Sequence, residues 1–116
     1  MQQHTFTPDQ VLTELSHHIG KANGIHVREL VQRITGQVFT NGPMERKLRL
    51  IVAELRMEGH HICAHPQLGY FMAETADELE ETCDFLYERA MTSLAQISRM
   101  KKVSLPDLRG QLHLRT

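Results

Sequence analysis

The run His60-His61-Ile62-Cys63-Ala64-His65 gathers the most chemically versatile side chains of this 116-residue sequence. His61, Cys63 and His65 alternate, so an extended backbone turns them to one face. Imidazoles and thiolates are ordinary zinc ligands, and a thiol beside an imidazole is the start of a nucleophile–base pair. Neither chemistry completes itself. The spacing matches no finger pattern and offers no fourth ligand. Nothing orients a base toward Cys63, and there is no phosphate-cradling glycine loop or paired-carboxylate motif. The reading is therefore a buried cysteine among exposed histidines, with no catalytic residue, metal or cofactor. Cys63 and Cys83 lie far apart in different expected elements and read as thiols rather than a bridge. His17-His18 reads as surface.

A second chemistry is electrostatic. Arg46, Lys47 and Arg49 fall in the early turns of an expected helix, where cations meet phosphates or base edges. Glu45, Glu54 and Glu58 partly cancel them, and the chain as a whole has a formal net charge of −1. Bulk charge thus gives no push toward nucleic acid. His65 and Gln67 are further candidates for contact with a minor groove or phosphates. From Glu74 to Ile97 the acids Glu74, Asp77, Glu78, Glu80, Glu81, Asp84 and Glu88 stand against Arg89 alone, a block that repels a phosphate backbone.

Local signals define the elements that must position these groups. Thr7-Pro8-Asp9-Gln10 has the spacing of a capping box with proline in the first turn. Val11, Leu12, Leu15 and Ile19 then recur at helical spacing until Gly20 and Asn23-Gly24. Ile25–Val27 is short and extended. Arg28–Ile34 forms a short helix that Gly36 stops. Asn41-Gly42-Pro43 opens the clearest helix, 43–58, whose apolar face is Met44, Leu48, Ile51, Val52 and Leu55. His61–Ala64 and Tyr70–Ala73 form a hairpin around Pro66–Gly69, a loop longer than two residues. Thr75-Ala76-Asp77-Glu78 is a capping box for a helix running to about Lys102, ahead of Pro106.

In that last helix Leu79, Cys83, Leu86, Ala90, Ser93, Ile97 and Met100 alternate spacings of four and three, which is a coiled-coil seam that Ser93 weakens. The helix's length favours self-association through Leu79, Cys83, Leu86, Ala90, Ile97 and Met100 over the rival, in which the seam folds back on the winged domain. The acid-to-base gradient along the helix also allows antiparallel pairing.

The expected fold is mainly α (α+β). The order helix, extended piece, helix, helix, hairpin is that of a winged helix-turn-helix with a two-stranded wing, followed by a long coiled-coil-like helix. The expected division is a winged-helix domain over 1–73, a dimerisation helix over 74–102 and a flexible tail over 103–116. In the tail, Gln111-Leu112-His113-Leu114 resembles the start of the short peptide by which bacterial proteins dock on the replicative sliding clamp, but Arg115 stands where an aromatic residue belongs.

Glu45–Val52, Leu55–Cys63 and Gly69–Ala73 carry a resemblance at the level of pattern. From about Gly24 to Lys102 the chain resembles small phage and prophage winged-helix proteins, in which a long acidic-to-basic helix follows the wing. The resemblance implies a phage or prophage origin and a role in replication or transcription control. It supplies no catalytic residue, and His60, His61 and His65 depart from its pattern.

The expected function is double-stranded DNA binding by a homodimer, not catalysis. The rival is an adaptor that docks a replication or transcription protein. No run approaches the roughly 20 apolar residues that span a bilayer, and Met1–Thr7 has no leader pattern. A cytoplasmic protein without a membrane partner is expected.

Overall fold

A computed structural model describes residues 5–101. The chain divides into two compact units, Met1–Thr82 and Cys83–Thr116. In order, the elements are α1 (Pro8–Leu15), a 3-10 turn (Lys21–Asn23), α2 (Val27–Thr35), α3 (Gly42–Met57), β1 (Ile62–His65), β2 (Gly69–Met72) and α4 (Ala76–Lys101). Over the described residues the fold is mainly helical with one two-stranded antiparallel sheet, hence α+β. No helix among the described residues is long and apolar enough to cross a membrane.

Helix α1 begins where the capping chemistry demands. Thr7 Oγ1 accepts the Gln10 N–H at 3.2 Å, and Gln10 Oε1 accepts the Thr7 N–H at 2.8 Å. Phe6 and Val11, the N′ and N4 positions of a hydrophobic staple, are both buried. The helix ends at Leu15, earlier than the sequence spacing predicts. Ile19 is not on its apolar face; it is extended, largely exposed and bridged to Met72. The reason lies in the sheet. Gly20 N–H bonds Met72 O at 2.9 Å and Met72 N–H bonds His18 O at 2.8 Å, so these residues satisfy backbone groups of β2 instead of a helix.

His18 is consequently not a surface residue. It is buried, with Nδ1 at 2.9 Å from Asn23 O and Nε2 at 3.2 Å from Glu14 Oε2.

Helices α1, α2 and α3 pack on one another around Val11, Leu15, Leu30, Val31, Leu48, Val52 and Leu55. The hairpin adds Ile62 to this cluster, and Ile25 enters it from the segment after the 3-10 turn. Ile25 exchanges two 2.8 Å backbone bonds with Tyr70, forming an antiparallel bridge on β2. Val27, expected to be extended, is instead the first residue of α2.

Two glycines permit this crossing. A Cβ on Gly24 would land on Leu68 O, and one on Gly69 would land on Ile25 O; Gly69 also has φ +85°. The hairpin register is Ile62↔Met72 to His65↔Gly69, one residue from the expected strand ends and joined through Pro66–Leu68.

The start of α4 belongs to the first unit. Thr75 Oγ1 accepts the Glu78 N–H at 3.2 Å, as a capping box requires. The Glu78 carboxylate reaches further than that box. It accepts the Glu74 N–H at 2.8 Å and the Lys21 N–H at 3.0 Å, so one side chain ties the 3-10 turn to α4. Lys21 Nζ adds an ion pair to Glu81 at 2.9 Å. Thr82 is buried and its Oγ1 accepts the Ala64 N–H at 3.3 Å, docking the first turns of α4, up to Thr82, beside β1. The tail Val103–Thr116, with its Gln111–Leu114 motif, lies outside the described residues.

Candidate nucleic-acid interface

Helix α3 is built as an amphipathic rod. Asn41 Oδ1 accepts the Met44 N–H at 2.9 Å as N-cap, and proline lies in the first turn. Met44, Leu48, Ile51, Val52 and Leu55 are buried. At 100° per residue the direction opposite this face falls on Arg46, Leu50, Ala53 and Met57, and all four are exposed.

The three cations expected to meet a ligand fan across the outward half of the first two turns. Arg46 is central and exposed, and its guanidinium forms no ion pair among the described residues. Lys47 is exposed on one flank, its Nζ 5.4 Å from the centroid of the Phe6 ring. That placement is within cation–π range and steadies the ammonium without neutralising it. Arg49 is exposed on the other flank, 3.9 Å from the Glu45 carboxylate. Glu45 is itself engaged by the Thr40 hydroxyl at 2.9 Å. An exposed i,i+4 pair at that distance is weak, so Arg49 is not sequestered. Arg56 has a different role: its Nε donates to Ile62 O at 2.8 Å and joins α3 to β1.

His65 and Gln67 sit apart from these cations in sequence, in the hairpin turn. Gln67 is exposed and its N–H donates to His65 Nδ1 at 3.1 Å, so one imidazole nitrogen is spent inside the turn. The turn carries no lysine or arginine.

The His/Cys cluster does not assemble a centre. Cys63 is buried and its thiol points to Glu78 O at 3.6 Å, whereas His61 is exposed. Among the described residues no group of His, Cys, Asp or Glu is arranged to hold a metal ion. Neither cysteine forms a disulfide.

Sequence reasoning missed the apolar part of the same α3 surface. Leu50 is 61% and Met57 is 88% exposed. The signal was present: both residues fall outside the i,i+3,i+4 set that defines the core stripe. Val38 and Phe39, in the connection between α2 and α3, are exposed as well. The outward side of α3 is thus cationic in its first two turns; beyond them it carries Leu50, Ala53 and Met57, with the exposed Glu54 on the Lys47 flank. No family model, curated protein or solved structure matches the chain.

Proposed function

We propose that this chain is a winged-helix DNA-binding protein, with α3 as the recognition helix and the β1–β2 hairpin as the wing. The observation that carries the reading is the fan of Arg46, Lys47 and Arg49, exposed across the outward half of the first two turns of α3. In helix-turn-helix proteins the early turns of the second helix of the motif approach base edges in the major groove. Here those turns hold side chains suited to phosphates and to guanine O6 and N7. The helix order and the hairpin after α3 support the same reading, as does the resemblance to phage and prophage winged-helix proteins. On that resemblance the role is control of replication or transcription.

Titration of a labelled random duplex with wild type and with Arg46→Ala/Lys47→Ala/Arg49→Ala tests it. Wild type should bind with a steep dependence on salt. The triple variant should lose at least tenfold in affinity near 0.1 M salt. Its slope of log K against log salt should flatten by about 2–3, close to one per phosphate contact removed. Equal binding by the two proteins overturns the proposal.

The exposed Leu50 and Met57 favour a second reading, in which α3 docks an apolar groove on a replication or transcription protein. Under that reading Leu50→Ser/Met57→Ser abolishes capture of the partner in nuclease-treated lysate, and the triple alanine variant leaves capture intact.

A further inference from the structure

We propose that residues 80–101 of α4 pair with the same segment of a second copy in antiparallel orientation, in one register. This deepens the expected self-association by specifying direction and layers. It does not depend on DNA binding.

The seam is open. Leu86 is 40%, Ile97 37% and Met100 77% exposed, and Cys83, Ala90 and Ser93 are exposed beside them on one stripe. With the spacings of four and three read as a heptad, Cys83, Ala90 and Ile97 are a positions, and Leu79, Leu86, Ser93 and Met100 are d positions. Glu80, Tyr87, Leu94 and Lys101 then stand at e, and Thr82, Arg89 and Gln96 at g.

Charge decides the direction. All the acids of α4 (Asp77, Glu78, Glu80, Glu81, Asp84 and Glu88) precede Arg89, and Arg89, Arg99 and Lys101 supply its bases. Parallel pairing sets the two acidic halves side by side. Its flanking g–e′ pairs would be Thr82 with Tyr87, Arg89 with Leu94 and Gln96 with Lys101, none of them oppositely charged. Antiparallel pairing lays each acidic half along the partner's basic end.

One antiparallel register matches a to d positions throughout. It layers Cys83 on Met100, Leu86 on Ile97 and Ala90 on Ser93, each residue meeting its opposite number in the other copy. The two-fold axis then passes between Met91 and Thr92. At the flanks the same register sets Glu80 against Lys101 and Tyr87 against Leu94, both e–e′, and Arg89 against Gln96, g–g′. The ion pair therefore occurs twice, once at each end, while Ala90 and Ser93 let the helices approach closely at the centre. At 1.5 Å per residue the layered part, residues 83–100, is about 27 Å long.

The test combines mass and cross-linking on the full chain. Sedimentation equilibrium of wild type from about 1 to 200 µM should show reversible dimerisation, and Leu86→Glu/Ile97→Glu should remain monomeric with unchanged helical content. For direction, mild oxidation of Met100→Cys should give a disulfide-linked dimer that peptide mapping assigns to Cys83 and position 100. Wild type should give none, because the two Cys83 residues lie about 25 Å apart in this register. Cys83→Ser/Met100→Cys should lose the link. A wild-type dimer linked through Cys83 to Cys83 would show parallel pairing and overturn the proposal. A monomer at about 200 µM overturns it too, as does a dimer in which Met100→Cys forms no link to Cys83.

Discussion

Glu78 shows how much one side chain can hold. Its carboxylate collects the backbone N–H of Glu74 and of Lys21, and these bonds, Glu74 first and Lys21 next, keep its pKa below the ordinary value of 4.5. Because the folded value is lowered, the stabilisation is complete above the unfolded value. It fades as pH falls below about 4.5 and through the folded value. Glu78→Gln should therefore lower the urea midpoint at pH 7, and the gap from wild type should close as the solution is made acid. A gap independent of pH would sink this account. Gly24 and Gly69 are the second residue-scale device. Gly24→Ala and Gly69→Ala should each cost about 2–3 kcal/mol in urea denaturation, since a new Cβ meets backbone oxygen that cannot retreat. Of these roles the sequence displayed only the capping box and the turn signals. The bond from Glu78 to Lys21 spans 57 positions, and no local pattern encodes such a partner.

At the scale of elements, helices with strong caps were legible. Asn41 and Thr7 announce α3 and α1, and both caps have the expected bonds. The end of α1 was not legible, because Ile19 fits the helical spacing while its neighbours His18 and Gly20 are claimed by β2. Tertiary hydrogen bonding overrode periodicity there. The cationic part of the candidate interface was visible in Arg46, Lys47 and Arg49. Its apolar part was not, because the eye that finds a core stripe passes over Leu50 and Met57 on the opposite side. For α4 the charge gradient makes its own prediction. Lys101→Glu should weaken dimerisation several-fold at low salt, and Glu80→Lys/Lys101→Glu should restore it in sedimentation. High salt should shrink both effects. Failure of the double swap to recover affinity would remove the flanking pair from the register.

At the scale of the molecule, the expected boundary after Ala73 cuts through interactions that the structure keeps together. Glu78 and Thr82 lie beyond it, yet they bond Lys21 and Ala64. A fragment ending at Thr82 should unfold cooperatively by circular dichroism. One ending at Ala73 should melt several degrees lower, with Cys63 newly reactive toward a thiol reagent because the α4 backbone no longer lies beside its sulfur. Similar melting of the two fragments would show that the first turns of α4 add nothing to the first unit. This dependence was hidden because a helix that starts with a good cap looks self-sufficient on paper.

The small sheet has occupied borders. One side of β2 is bonded to His18, Gly20 and Ile25, and the middle of β1 gives its Ala64 amide to Thr82. An incoming peptide thus finds few vacant main-chain groups on which to extend the ribbon. Among the described residues the hairpin therefore offers a neighbouring molecule's strand little main chain to build on, and contacts made there fall mainly to side chains.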